Sequence, residues 1–218
     1  MLKIKQTVLT LVSFCFLASL WPHPITFPTG SSITIKRHND DNHLMANYTW
    51  IRHLASSLHV EHGYDKVLDQ HCYNVVGGFN FLLWRLNYLK SQANAYVITQ
   101  IGYFDKQLDS GLSSRAAVMA DWESRRYFVG VGADYNHFFE SNHLDSWTAK
   151  ARFGFAPYLA KYNQLQSWMK VEFEWNDSKI KEYFVVRPIV RFYFKNFLWE
   201  VGFSHRGDLH LEFMVNFI

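Results

Sequence analysis

Cysteine is scarce. The 218 residues contain two, Cys15 and Cys72, and Cys15 falls in a segment that reads as a removable secretory signal. One thiol then remains, which excludes an intramolecular disulfide framework even in an oxidising compartment. Long apolar runs are missing too. Past residue 20 nothing approaches the ~18 consecutive apolar residues that mark a membrane-crossing helix, and no long amphipathic helix is patterned in the chain. Charge of one sign is also absent. The net charge is +3, and removing Lys3 and Lys5 with the signal leaves +1, which excludes a basic nucleic-acid surface. There is no tight His-x-x-x-His spacing of the kind that builds a metal site on a helix.

What the chain has is aromatic side chains and alternation. Phe, Tyr and Trp make up 18% of the sequence, yet the mean hydropathy is only −0.16. Many aromatics at neutral mean hydropathy fit strands with one apolar and one polar face better than continuous apolar segments. Lys3 and Lys5 form a positive start and Val8 to Leu20 an apolar stretch, with cleavage after Ser19. The expected organisation is a signal peptide over 1–20, a periplasmic N-terminal segment over 21–30 and a β-barrel over 31–218.

A strand turns its side chains to opposite faces at successive residues. In the last segment Leu209, Leu211, Phe213, Val215 and Phe217 face one way, and Asp208, His210, Glu212, Met214 and Asn216 the other. Tyr127 to His137 and Trp147 to Phe155 repeat the pattern, as do Trp168 to Trp175, Tyr183 to Phe194 and Trp199 to Ser204. Such segments predict about twelve antiparallel strands, near 31–37, 43–52, 56–63, 72–86, 92–104, 113–123, 126–138, 145–158, 165–176, 182–194, 196–204 and 208–218, with ten as the alternative. Most reach the roughly 9–11 residues that cross a bilayer as a tilted strand. One set of connections is mostly short, including Arg52–Ala55, Lys90–Gln92 and Lys195. The other is richer in charge and histidine: His38–Asn42, Gly63–His71, Asp105–Ser113, Phe139–Leu144, Asn176–Lys181 and His205–Asp208. Placing the second set outside puts both termini in the periplasm.

Alternation alone does not say which face looks inward. In a soluble sandwich the apolar face is the core and charge meets water. Here the apolar face carries Trp122, Tyr127, Tyr135, Trp147, Trp175, Phe194 and Trp199 near strand ends, the arrangement of two interfacial girdles. The other face carries both signs on adjacent strands, namely Lys150, Arg152, Lys170, Glu172, Glu174, Arg187, Arg191, Glu200, His210 and Glu212, a candidate lumen charge network. An amphipathic aromatic strand at the C-terminus agrees with both. The expectation is an all-β transmembrane barrel of the bacterial outer membrane, monomeric, with outer-membrane lipids and the assembly machinery as its partners and no nucleic acid.

Several phrases resemble a family of proteobacterial outer-membrane β-barrel proteins from about residue 21 to the end. They are Trp21-Pro22-His23-Pro24-Ile25-Thr26-Phe27-Pro28-Thr29-Gly30, Gln92-Ala93-Asn94-Ala95-Tyr96, Gly154-Phe155-Ala156-Pro157-Tyr158 and, most specific, Asp121-Trp122-Glu123-Ser124-Arg125-Arg126-Tyr127-Phe128. Members are sometimes encoded near copper or heavy-metal handling genes, so the resemblance implies a metal link. It supplies no catalytic residues. The chain departs from the family in closing with Ile218 after Phe217.

Three chemistries are open. The lumen charges can line a narrow small-solute or ion channel or pair off inside a plugged envelope barrel without transport. A lipid-active hydrolase would need a serine beside a histidine base, with Ser141 or Ser146 near His143 as the local candidates. A metal-binding or metal-uptake barrel would draw on the histidines of the outer loops, with His38, His43, His71 and His143 as candidate transition-metal ligands. No other cofactor is expected.

Overall fold

The computed structural model describes residues 28–38, 41–65, 70–106, 109–139, 141, 144–161, 163–178 and 182–217. The expected signal peptide lies outside these residues. Twelve strands form one closed antiparallel barrel in which each pairs with its sequence neighbours and the last pairs with the first. They are β1 Ser31–His38, β2 Asp41–Ile51, β3 Leu54–Asp65, β4 Gln70–Asn87, β5 Ser91–Lys106, β6 Asp109–Ser124, β7 Tyr127–Phe138, β8 Ser146–Phe155, β9 Gln166–Ser178, β10 Glu182–Phe194, β11 Phe197–Phe203 and β12 Leu209–Phe217. The twelve-strand reading is therefore the fold, and the ten-strand alternative falls. Closure leaves no unpaired strand edge, which hydrocarbon would penalise at every open N–H and C=O.

Thr29 and Gly30, expected in the N-terminal segment, already join the wall. The Thr29 N–H donates to the Thr49 carbonyl (2.8 Å), and the Thr49 N–H donates to the Gly30 carbonyl (2.9 Å). Two outer connections are shorter than the alternation suggested. The β5–β6 ladder continues to Lys106 opposite Asp109, and the β3–β4 ladder to Asp65 opposite Gln70. Backbone pairing there extends past the last amphipathic residues, where the side-chain pattern no longer signals it.

The faces are inverted relative to a soluble protein. Ile35, Phe79, Ile101, Val131, Trp147, Phe153, Phe173, Trp175, Trp199, Val201 and Leu211 all point outward and are exposed. So continuous an apolar surface is far larger than the few hundred Å² that a water-soluble monomer tolerates. Charge sits inside: Glu172, Arg187, Arg191 and His210 are fully buried. Two slips in register, between Thr49 and Ile51 on β2 and between Leu82 and Trp84 on β4, keep this division. At the second, Leu83 and Trp84 both face out while Leu82 stays in, as the extra residue of a bulge allows. Backbone approach is closest at Gly102, where a Cβ would overlap the Val75 carbonyl.

The interior is layered. Near the end where Ser31 pairs with Phe217, Phe128, Ala156 and Trp168 form one apolar cluster, and Met119 packs against it. Ala55, Leu82 and Tyr96 form a second, and Met119 packs against that as well. Met119 lies opposite Gly132 across the β6–β7 pair, and Gly132 is where a side chain would crowd the Met119 Cγ at 3.4 Å. These residues make an apolar floor, bordered by buried charge where Arg191 stands opposite Trp168 and Glu123 opposite Phe128.

Candidate functional site

Strands β8 to β12 and the end of β1 supply a charged wall. Three acids organise it. Glu172 accepts from Arg152 Nε and Arg187 Nη1. Glu174 lies 3.3 Å from Lys150 Nζ, 3.5 Å from Arg187 Nη1 and 3.0 Å from His38 Nε2. Glu200 lies 2.5 Å from Arg191 Nε, 3.0 Å from Lys170 Nζ, 3.3 Å from His210 Nε2 and 3.8 Å from Arg152 Nη1. The structure thus gathers nine of the ten expected lumen charges into one network. Their positions follow from alternation: cross-strand register places Arg152 and Arg187 on either side of Glu172, and Arg191 opposite Glu200. Charges taken out of water need such partners, because an unpaired one costs several kcal/mol (about 3–5 when one partner is removed). Lys170 also lies over the Phe128 ring, 4.8 Å from its centroid, and so ties the wall to the floor.

The tenth charge, Glu212, is differently placed. It faces inward opposite Lys36, and its Oε1 is buried without a hydrogen-bond partner. It borders a cavity of about 150 Å³ that also touches Lys36, Arg115, Asp134, Lys150 and Arg152. The far side of that cavity is neutral. Gln100 Nε2 donates to Ser57 Oγ (2.8 Å), Ser57 Oγ to Asn80 Oδ1 (3.2 Å), Asn80 Nδ2 to Asn47 Oδ1 (3.1 Å) and Asn47 Nδ2 to Ser32 Oγ (3.3 Å). Met119 lines the same cavity, which places the space directly above the floor.

Histidines meet in pairs. His38 Nδ1 is 3.4 Å from His210 Nδ1, with ring centroids 5.7 Å apart. His43 Nδ1 is 3.1 Å from His59 Nε2, with centroids 5.3 Å apart. His62 Nε2 is 3.0 Å from His71 Nδ1, with centroids 5.2 Å apart. In each pair the nitrogens lie along the line of centroids and point at each other, the geometry of an N–H···N hydrogen bond. Ligands of a tetrahedral metal would instead converge on a third point. Of the four histidines expected as metal ligands, His38, His43 and His71 therefore have separate partners, and His143 lies outside the described residues. Three other donor sets do lie within 4.8 Å: His43, His59 and Glu61; His38, Glu172 and Glu174; Glu200, His210 and Glu212. Each has a cationic neighbour. Arg115 Nη1 is 3.2 Å from His59 Nδ1, and guanidinium groups hold Glu172, Glu174 and Glu200.

Of the hydrolytic candidates the two serines can be placed, and their expected base, His143, lies outside the described residues. Ser141 is buried, its N–H donating to the Phe138 carbonyl (3.0 Å) and its carbonyl accepting from the Leu144 N–H (2.8 Å). Ser146 Oγ accepts from Asn136 Nδ2 at 3.4 Å. Among the described residues neither hydroxyl is bonded to a histidine. A further acid–histidine pair, Asp145 with His137, forms at the β7–β8 connection. His137 Nδ1 lies 3.1 Å from Asp145 Oδ1, the Tyr135 hydroxyl donates to Oδ2 (3.0 Å) and the Phe138 N–H donates to Oδ1 (3.0 Å). Burial would push this carboxyl up, but the three donors outweigh it and hold it below the ordinary aspartate value.

Sequence reasoning named the charged wall and missed the rest of the site. Lys36, Asn47, Ser57, His59, Asn80, Gln100, Arg115, Met119 and Asp134 lie on β1 to β7, where small neutral residues weaken the contrast between faces. The available signal was the same two-residue period: Ser32, Thr34 and Lys36 alternate with Ile33 and Ile35.

No protein-family model and no curated protein matches the chain. Solved structures do. The β-domain of the Bordetella autotransporter BrkA matches with a TM-score of 0.51 at 11% identity, covering 86% of this chain and 97% of that one. LpxR from Salmonella typhimurium matches with a TM-score of 0.48 at 10% identity, over 87% of this chain and 99% of that one. The KdgM porin in complex with disordered oligogalacturonate matches with a TM-score of 0.48 at 10% identity, over 86% and 96%. At these identities the likeness is one of fold, and the fold is that of outer-membrane barrels.

Proposed function

We propose that this protein is a monomeric barrel of the bacterial outer membrane, seated in its lipids after delivery to the assembly machinery, and closed at rest. In this reading it is a cup that opens away from the end where Ser31 pairs with Phe217 and is plugged beneath. The observation that carries the reading is the packing of Met119 against both apolar clusters. An apolar constriction beneath a polar space resists ions because it does not wet. The charged wall supports the same reading: each of its three carboxylates is shared by two or more of its five cations, so these groups hold one another across strands. The same observation favours one second reading, a narrow solute channel, since the floor is joined through a single flexible thioether side chain.

Planar-bilayer recording tests this. The wild-type barrel is expected to give no steady conductance, and Met119→Gly combined with Phe128→Ala to give discrete steps. Steady steps from the wild-type protein would overturn the plugged reading in favour of the channel.

A further inference from the structure

We propose that the cavity above the floor binds a small hydroxycarboxylate through Lys36. The inference rests on the cup reading and gives the cup an occupant. The volume sets the size. About 150 Å³ is the scale of an engineered cavity that admits benzene, so the solute has about six or seven non-hydrogen atoms.

The charge follows from the lining. Lys36, Arg115, Lys150 and Arg152 border the cavity against two acids, Asp134 and Glu212. Most of these are engaged: Arg115 Nη2 lies 3.5 Å from Asp134 Oδ1, Lys150 pairs with Glu174 and Arg152 with Glu172. Lys36 and Glu212 are the exceptions, since no ion pair within 4.0 Å joins either to a group of opposite charge among the described residues. Lys36 is half-buried and borders the cavity, where an oxyanion would give its ammonium a charged partner.

The hydroxyl requirement follows from the opposite side. Gln100 donates its amide to Ser57, and its Oε1 is buried without a partner. Glu212 Oε1 is in the same condition, beside Lys36 on the near side. Both residues are more than nine-tenths buried and both line the cavity. A buried acceptor without a donor costs free energy that a ligand O–H can recover. A solute with a carboxylate for Lys36, a neighbouring hydroxyl for the Glu212 oxygen beside it and a second hydroxyl for the Gln100 oxygen across the cavity meets all three together. A simple inorganic anion meets only the first.

The test is calorimetry on the full folded barrel in detergent, titrated with glycerate, glycerol, inorganic phosphate and ethanolamine. Glycerate is expected to bind and glycerol of similar size to give no heat. Lys36→Met should weaken glycerate about tenfold or more, and Lys36→Arg should retain it within a few-fold. Gln100→Leu should weaken glycerate and leave phosphate unchanged. A heat-modifiable gel shift verifies that each variant is folded, and Lys36→Arg carries the charge test if Lys36→Met does not fold. Phosphate binding as tightly as glycerate with no effect of Gln100→Leu would overturn the hydroxycarboxylate, as would binding of ethanolamine alone or of nothing. Glycerate binding to a barrel that conducts would retain this site and reject the plug. A closed barrel that binds none of the four would do the reverse.

Discussion

His38 Nδ1 and His210 Nδ1 face each other at 3.4 Å across the seam where the barrel closes. One proton between them makes the bond, and the outer nitrogens are held as well. His38 Nε2 lies beside Glu174 and also 3.3 Å from Arg187 Nη2, while His210 Nε2 lies beside Glu200. The pair thus joins the Glu174 and Glu200 halves of the charged wall.

Replacing either ring with alanine strands the other in a buried polar site and should cost about 1–3 kcal/mol. Because the two share one bond, His38→Ala with His210→Ala should cost less than the sum of the single changes. Urea unfolding in lipid vesicles, followed by tryptophan fluorescence, measures this. Additive costs would mean that no hydrogen bond joins the rings.

Glu172 is the acid on which the wall depends most, since Arg152 and Arg187 both bond to it and all three are almost fully buried. Glu172→Gln leaves two guanidinium groups short of charge and should destabilise the barrel by about 3–5 kcal/mol. Asp105→Asn, at an exposed position, should stay within about 0.5 kcal/mol. Equal effects in the same unfolding assay would show that the buried network does not hold the wall.

Gly102 and Gly77 offer a paired test of the tight β4–β5 approach. A Cβ at Gly102 would overlap the Val75 carbonyl and the start of Val76, whereas at Gly77 it would meet the Ser57 carbonyl at an ordinary 3.7 Å. Gly102→Ala is expected to block or strongly weaken assembly and Gly77→Ala to be tolerated, read as the fraction of heat-modifiable protein on a detergent gel.

Asp145 should make the β7–β8 connection sensitive to acid. Its carboxyl is held below the ordinary value in the folded protein. The stabilisation is therefore present above the unfolded aspartate value and is lost as the pH falls through the lower folded one. Hydrogen exchange around Phe138 to Ser146 should accelerate below about pH 4. Asp145→Asn should give the faster exchange at neutral pH and remove the acid step. A step that survives in Asp145→Asn would assign it to another group.

The strands were legible because outward and inward residues differ so sharply in chemistry. Trp147, Ala149, Ala151 and Phe153 against Thr148, Lys150 and Arg152 can be read no other way than by twos. The lumen network was legible for the same reason, since one face and one neighbouring strand suffice to bring Arg152 to Glu172. The floor was not. Phe128 and Trp168 fall on the polar face of their strands, and only three-dimensional closure shows that they reach Met119 from β6. The cavity was hidden likewise, being a consequence of small residues such as Gly132 and Ala117 standing opposite long ones. Histidine pairing depended on register: His43 and His59 lie on adjacent strands two positions out of line, a relation that no local spacing reveals.

The central claim is that lipid covers the apolar face and that the interior is sealed from it. Trp175 and Trp168 report the two sides, one outward and 40% exposed, the other inward and 0% exposed. Folded barrels that retain only one or the other, the remaining tryptophans replaced by phenylalanine, can be placed in vesicles of brominated lipid. Bromine on the acyl chains should quench Trp175 strongly and leave Trp168 bright. Quenching of Trp168 to the same degree, or of neither residue, would contradict the account.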